Sequence, residues 1–440
     1  MNKTIIYLSS LFLVLASSCS VSESDPPNVY PDPDVVTESD DSVSLTKSLL
    51  NTGLPLVVID TENCEEPTCE YVSPPDGCIG LSIKNATKVP GSIEIIQNSD
   101  VIYPSGKYDQ GNSGMTIKIR GNTSAYGEKK PYKIKLQEKA DLLNRGNDKV
   151  YSDKEWILLK YDGLRTLVGF KLTELMQMQW TPSLQFVNVI FNDDYRGVYM
   201  LTESVKRNTE CRLNVDKTGY IIEYDAYWWN EEVYFESGWT YPMNYTFKYP
   251  DDEDIKKEQT DYIKSYIDSL EYKIHNGEEY EQYIDVESWA KWILIHDILG
   301  IGDAAGTNLY ITKYDNTDSS KLKIENFWDF GGNYMNTDTW ATTHTHPFQY
   351  FYKLFNNKNP IFKSTYKHIW DNTHNDVFTK MSEYLSTFNE SNTASNLDKA
   401  IELDNKRWNT NNQSVYEEIK YAKYWFVTKL SFLNENIPDL

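Results

Sequence analysis

Between residues 115 and 136 apolar and charged side chains alternate, and that alternation restricts what this chain can fold into more than any other feature. In "MTIKIRGN" Ile117 and Ile119 fall on one face, with Lys118 and Arg120 on the other. In "PYKIKL" Tyr132, Ile134 and Leu136 oppose Lys133 and Lys135. Successive strand side chains point to opposite faces, so this pattern specifies strands with one buried face. "LPLVVIDT" (54–61) reads as a buried strand, and "FVNVIF" and "GVYMLTES" flank the turn Asn192-Asp193-Asp194 as a hairpin. "RTLVGFKLTELMQM" lies between the strand groups and has helical spacing. An antiparallel sheet with at least one helix packed on it is expected for the N-terminal half.

The period then changes. Ile263, Ile267, Leu270 and Ile274 form one helical stripe, and Val415, Ile419, Ala422 and Phe426 form another. "DVESWAKWILIHDILG" opens on Asp285, a good N-cap, and closes on Gly300, a good residue for the left-handed turn that ends a helix. The fold class is α+β, with a sheet-rich lobe over 51–250 and a helical lobe over 251–440.

The first 18 residues have the layout of a targeting signal: Lys3, an apolar stretch from Ile5 to Leu15, then Ala16-Ser17-Ser18 before Cys19. That resembles a bacterial lipoprotein signal, with Cys19 as the lipidated residue. It implies an exported protein held by a lipid anchor, at the outer membrane or cell surface. Residues 19–50, rich in Ser, Asp and Pro, read as a disordered tether. Cys64, Cys69, Cys78 and Cys211 remain, which in an exported chain allows up to two disulfides in any of three pairings. Acidic residues outnumber basic ones 65 to 43, a net charge of −22, so nucleic acid is not an expected partner.

The chemistry concentrates in "GDAAGTNLYITKYDNTDSSKLKIENFWDFGGNYM" (302–335). Phosphoryl transfer needs a divalent ion on the phosphates, cations on the other oxygens, and a carboxylate for the acceptor hydroxyl. Asp303 follows a helix, in a loop where a carboxylate can face substrate. Asn308 and Asp329 offer the hard oxygen donors that Mg²⁺ takes. The run between them suits a hairpin that returns Asp329 to Asn308. Spacing and order match the catalytic Asp, the metal-binding Asn and the downstream Asp-Phe-Gly of protein kinases. Arg120, Lys133 and Lys135, on the polar strand faces, are candidates for phosphate contact, with Glu203 as a carboxylate to hold a lysine. The same residues also suit a solvated sheet face and an ordinary loop and hairpin.

Several blocks together resemble the CotH family of spore-coat-protein-H-type atypical kinases. They are "IKIRGNTSAYGEKKPYKIKL", "EWILLKYDGLRTLVGFKLTELM", "VNVIFNDDYRGVYMLTES", "GDAAGTNLYI" and "FWDFGGNYM", spread from about residue 54 to beyond 370. The resemblance implies a two-lobed kinase-like fold that uses ATP with Mg²⁺ or Mn²⁺ to phosphorylate protein Ser or Thr. Asp303 would be catalytic, Asp329 and Asn308 would serve the metal, and Arg120, Lys133, Lys135 and Glu203 would belong to the nucleotide side. Two departures stand out. Members commonly place a second aspartate where this chain has Gly331, and tend to carry Arg-Asn where it has Val168-Gly169. A catalytically silent scaffold that binds glycan or a partner protein is the alternative; Trp228, Trp229, Trp239 and Trp340 are its candidate sugar-stacking residues.

Overall fold

The structure, a computed structural model, describes residues 40–239, 243–302, 308–346 and 350–440, the side chains of 40–44 and 148 excepted. Asp303 and Cys19 lie outside the described residues, as do residues 1–18 and the tether up to 39. Helix α1 (Asp40–Leu50) precedes the first strand and buries Leu49 against Leu56 and Ile190. The expected disordered tether is therefore corrected at its C-terminal end. Residues 40–50 find an apolar partner, which a Ser/Asp/Pro composition count does not register.

Seven strands close into a barrel. They are β1 (Leu56–Thr61), β2 (Val89–Gln97), β3 (Met115–Ile119), β4 (Tyr132–Ala140), β5 (Asp153–Lys160), β6 (Leu184–Phe191) and β7 (Asp194–Glu203). The ring runs β1-β6-β7-β5-β4-β3-β2 and returns to β1. Every pairing is antiparallel except β1 with β6. The expected antiparallel sheet is present and closes on itself, which removes both of its edges. The alternating pattern holds: Ile117, Ile119, Tyr132, Ile134 and Leu136 are buried in the barrel core with Trp156 and Phe191. Asn192 and Asp193 both take positive φ, as the two-residue turn joining β6 to β7 requires.

A second sheet joins β8 (Tyr220–Asp225), β9 (Tyr234–Phe235), β10 (Asn244–Tyr249), β11 (Leu309–Lys313) and β12 (Leu322–Lys323) in the order β9-β10-β8-β11-β12. It draws strands from both sides of residue 250, so the expected division there cuts through one sheet.

Helix α2 (Arg165–Leu175) follows the barrel strand β5, and the later helices of six or more residues among the described residues are α3 (Lys257–Asn276), α4 (Val286–Leu299), α5 (Tyr350–Phe355), α6 (Ile361–Asn389), α7 (Asn392–Trp408) and α8 (Val415–Asn436). Asp285 caps α4 by accepting from the Ser288 amide, and Gly300 ends it with φ +58. Ten of the 14 residues of α4 are buried, which makes it the central strut of the helical part. Helix α7 ties that part to the barrel: Asp404 accepts from the Val198 amide at 2.8 Å and pairs with Lys129 at 2.5 Å. The mixed helix and sheet content agrees with the α+β class.

The expected disulfides are absent. Cys64, Cys69, Cys78 and Cys211 are all free thiols. Among the described residues no helix is long and apolar enough to cross a membrane.

Candidate functional site

Asp329 is exposed between two buried aromatics, Trp328 and Phe330. The aromatics anchor the backbone on either side and leave the carboxylate facing outward. Phe330 stacks on Phe327 at 4.8 Å and meets Phe170 of α2 edge-on at 5.5 Å. Gly169 makes room for it: a Cβ there would lie 2.0 Å from the Phe330 ring. Asp329 has φ +71 and Asn308 has φ +62, left-handed conformations that Asp and Asn tolerate better than most residues. The Asp329 Oδ1 accepts from the Gly331 amide at 3.0 Å, and its Oδ2 faces Asn308 Nδ2 at 3.4 Å. The hairpin expected between them is β11 with β12, pairing Thr312 with Lys323.

Asn308 links this carboxylate to a second group of charges. Its backbone amide donates to Glu223 Oε1 at 3.2 Å, and Glu223 Oε2 pairs with Lys248 at 3.0 Å. Glu223 lies mid-strand in β8, opposite Thr246 and Tyr310. The β8–β10 register shifts between Ile221, opposite Tyr249, and Ile222, opposite Phe247, which leaves Lys248 as the extra residue of a bulge. Bulges re-aim side chains. Burial works against the Lys248 charge, but Glu223, Tyr310, Glu231 and Asp225 together outweigh it and hold the ammonium well above its usual range. Burial and the Glu223 charge push Asp225 upward; it accepts from the Tyr227 amide at 2.7 Å and the Thr246 hydroxyl at 3.0 Å.

The other sequence-expected residues divide. The Arg120 guanidinium stands over the Trp328 ring at 5.9 Å, next along the chain from Asp329. Lys133 and Lys135 line a cleft of about 530 Å³ in which Lys206, Arg207 and Lys248 stand opposite Glu155 and the acidic run Asp251, Asp252, Glu253 and Asp254. Lys133 is held by Glu155 at 2.8 Å. Glu203 does not hold a lysine. It is buried, pairs with Arg145 at 3.2 Å, lies 3.8 Å from Arg212 Nε, and accepts from the Ser183 amide. Its role as the lysine's partner is therefore corrected: the barrel closes around arginines there, and the lysine–glutamate pair that reaches Asn308 is Lys248–Glu223. Glu223 carried a legible signal, an acid inside the apolar strand "YIIEYD". Lys248 carried none, because its orientation comes from a bulge. The candidate sugar-stacking tryptophans are spread over separate contacts, Trp228 on Tyr234 and Trp340 between His344 and Phe432.

Among the described residues no three His, Cys, Asp or Glu side chains gather as a metal cluster. The Asn308–Asp329 pair nonetheless fits Mg²⁺ or Mn²⁺ chemically, since such an ion uses one or two protein oxygens and completes its shell with phosphates and water. The class defined at this point is an α+β protein with an exposed carboxylate–amide pair beside a half-buried lysine–glutamate pair and a cleft of mixed charge.

Residues 117–433 match the family model described as CotH kinase protein. The chain belongs to the CotH kinase family, and that membership carries kinase-like function. A search of curated proteins found no match.

Proposed function

We propose that this protein is a Mg²⁺- or Mn²⁺-dependent kinase that transfers the γ-phosphate of ATP to Ser or Thr of an exported or surface protein. Its Cys19 would carry the lipid that anchors it to a bacterial membrane. The observation that carries the reading is the run of contacts from Asp329 through Asn308 and Glu223 to Lys248. It places oxygen donors at one end and a firmly protonated lysine at the other, the two demands of a bound triphosphate.

In this reading Asp329 and Asn308 serve the metal side. Lys248, Arg120, Lys133 and Lys135 face phosphate oxygens. A bound ion would offset charge on the β- and γ-phosphates. The acceptor oxygen bonds to the γ-phosphorus as the bond to the β–γ bridging oxygen breaks, and the acceptor proton passes to Asp303. Positioned acid–base groups are worth roughly 10²–10⁴-fold in rate. Asp303→Asn should therefore lose most phosphate transfer to a generic acceptor while melting like the parent; robust autophosphorylation by that variant would refute the assignment. Gly331 favours a second reading, because it puts no carboxylate beside Asp329. A silent scaffold would bind ligand and transfer nothing.

A further inference from the structure

Helix α3 carries Tyr262 and Tyr266 one turn apart, and with Tyr283, just ahead of α4, they line a cavity of about 400 Å³. Ser265, Ser269, Gln282 and Asp318 complete the lining. Asp318 lies in the loop joining β11 to β12. Strand β11 starts beside Asn308 and is five residues long, roughly 16 Å, so the cavity stands at its far end, apart from the site described above.

The three segments that form it are tied to one another. The Tyr266 hydroxyl reaches the Tyr283 carbonyl at 3.2 Å and the Ser320 carbonyl at 3.3 Å, so one side chain links α3 to both loops. The Lys313 ammonium donates to the carbonyls of Asp315, Thr317 and Ser320 at 3.1, 2.7 and 2.6 Å, which pins the loop that carries Asp318. The Tyr266 and Tyr283 rings meet edge to face, 5.1 Å apart at 71°. A cavity held in this way loses little freedom when it is filled.

The chemistry of an occupant follows from what the lining offers and what it lacks. Among the described residues it contains no lysine or arginine, so an anion finds no partner there. A cation finds its place taken: Lys313 Nζ already stands 4.6 Å from the Tyr266 ring centre and 5.7 Å from that of Tyr262. Burial draws that ammonium down to about 8 while Asp315 and Asp318 work the other way, so the Asp318 charge is partly answered within the protein. Neutral ligands remain. The tyrosine rings offer flat apolar surface, and the Gln282 and Asp318 side chains are exposed beside them. The Ser269 hydroxyl donates to the Ser265 carbonyl at 2.8 Å and keeps its lone pairs for an incoming donor. A pyranose has the matching division, with C–H groups across its face and hydroxyls around its edge.

We propose that this cavity binds a neutral oligosaccharide, with its sugar rings against Tyr262, Tyr266 and Tyr283 and its hydroxyls bonded to Gln282, Asp318 and the two serines. The proposal stands apart from the phosphotransferase reading, in which none of these residues takes part.

The test titrates cellotriose, maltotriose, laminaritriose and chitotriose, each up to about 10 mM, into the full chain without nucleotide, read by calorimetry and ligand-observed NMR. The variants are Tyr283→Ala and the double variant Gln282→Ala/Asp318→Ala. Asp329→Asn serves as a control, and tetramethylammonium as a rival cationic probe. The expected result is binding of at least one trisaccharide by the parent and by Asp329→Asn, weakened roughly tenfold or more in the other two variants. The double variant alters only exposed side chains and keeps the test valid if Tyr283→Ala folds poorly. Parent-like binding in either variant that melts like the parent would overturn the assignment. So would loss of binding in Asp329→Asn, a parent that binds none of the trisaccharides, or one that takes tetramethylammonium in their place.

Discussion

The ring of Phe330 occupies the space that a side chain at Gly169 would need. Helix α2 and the segment that carries Asp329 are therefore in direct contact. Glycine within a helix costs about 1 kcal/mol relative to alanine. Here it permits the close approach that seats Phe330 and, one residue back, sets Asp329 in its left-handed conformation.

Gly169→Ala should accordingly cost about 1–3 kcal/mol by overpacking, despite the gain in helix propensity. Phe330→Ala should cost about 3–5 kcal/mol by leaving a cavity. The double variant should be scarcely less stable than Phe330→Ala alone, because the clash disappears with the ring. Denaturant midpoints measure all three; strictly additive costs would contradict the contact.

Lys248 and Glu203 separate binding from stability. Lys248→Met should weaken Mg-ATP binding at least tenfold by calorimetry, with a change in stability that is small by comparison. Glu203→Gln should do the reverse. It breaks a buried charge group around Arg145 and Arg212, at a cost of about 3–5 kcal/mol, and leaves nucleotide affinity near the parent value.

Much of the architecture was legible because burial enforces period. The alternation in "MTIKIRGN" and "PYKIKL" marked the barrel interior, and the caps Asp285 and Gly300 bounded α4 to the residue. Closure of the barrel was not legible, because β1 pairs with both β2 and β6, partners 30–40 and 132 residues away in sequence. Asn308 and Asp329 came together as expected from a hairpin, a local structure. Glu203 was misassigned because alternation says which face a residue takes and not which arginines wait there. Lys248 escaped because a bulge shifts its register.

Glu271 supplies a pH signature of the fold. Burial raises its carboxyl to about 8, and the hydroxyls of Ser237 and Tyr245 donate to it. Its pKa in the unfolded chain is near the ordinary 4.5. A carboxyl raised on folding contributes stability that is full below the unfolded value and lost as pH climbs through the folded one. Melting temperature should therefore fall between about pH 4.5 and 8, and Glu271→Gln should flatten that fall. An unchanged slope in the variant would place the pH dependence elsewhere.

The most direct measurement is calorimetric titration of Mg-ATP, with melting curves, into the parent and Asp329→Asn. At one hundred times its dissociation constant the nucleotide should stabilise the parent by about 2.7 kcal/mol. Asp329→Asn, folded as well as the parent, should show little or none of that gain. Equal stabilisation of both proteins by Mg-ATP, or of neither, would contradict the assignment of Asp329 and Asn308 to a metal–nucleotide site.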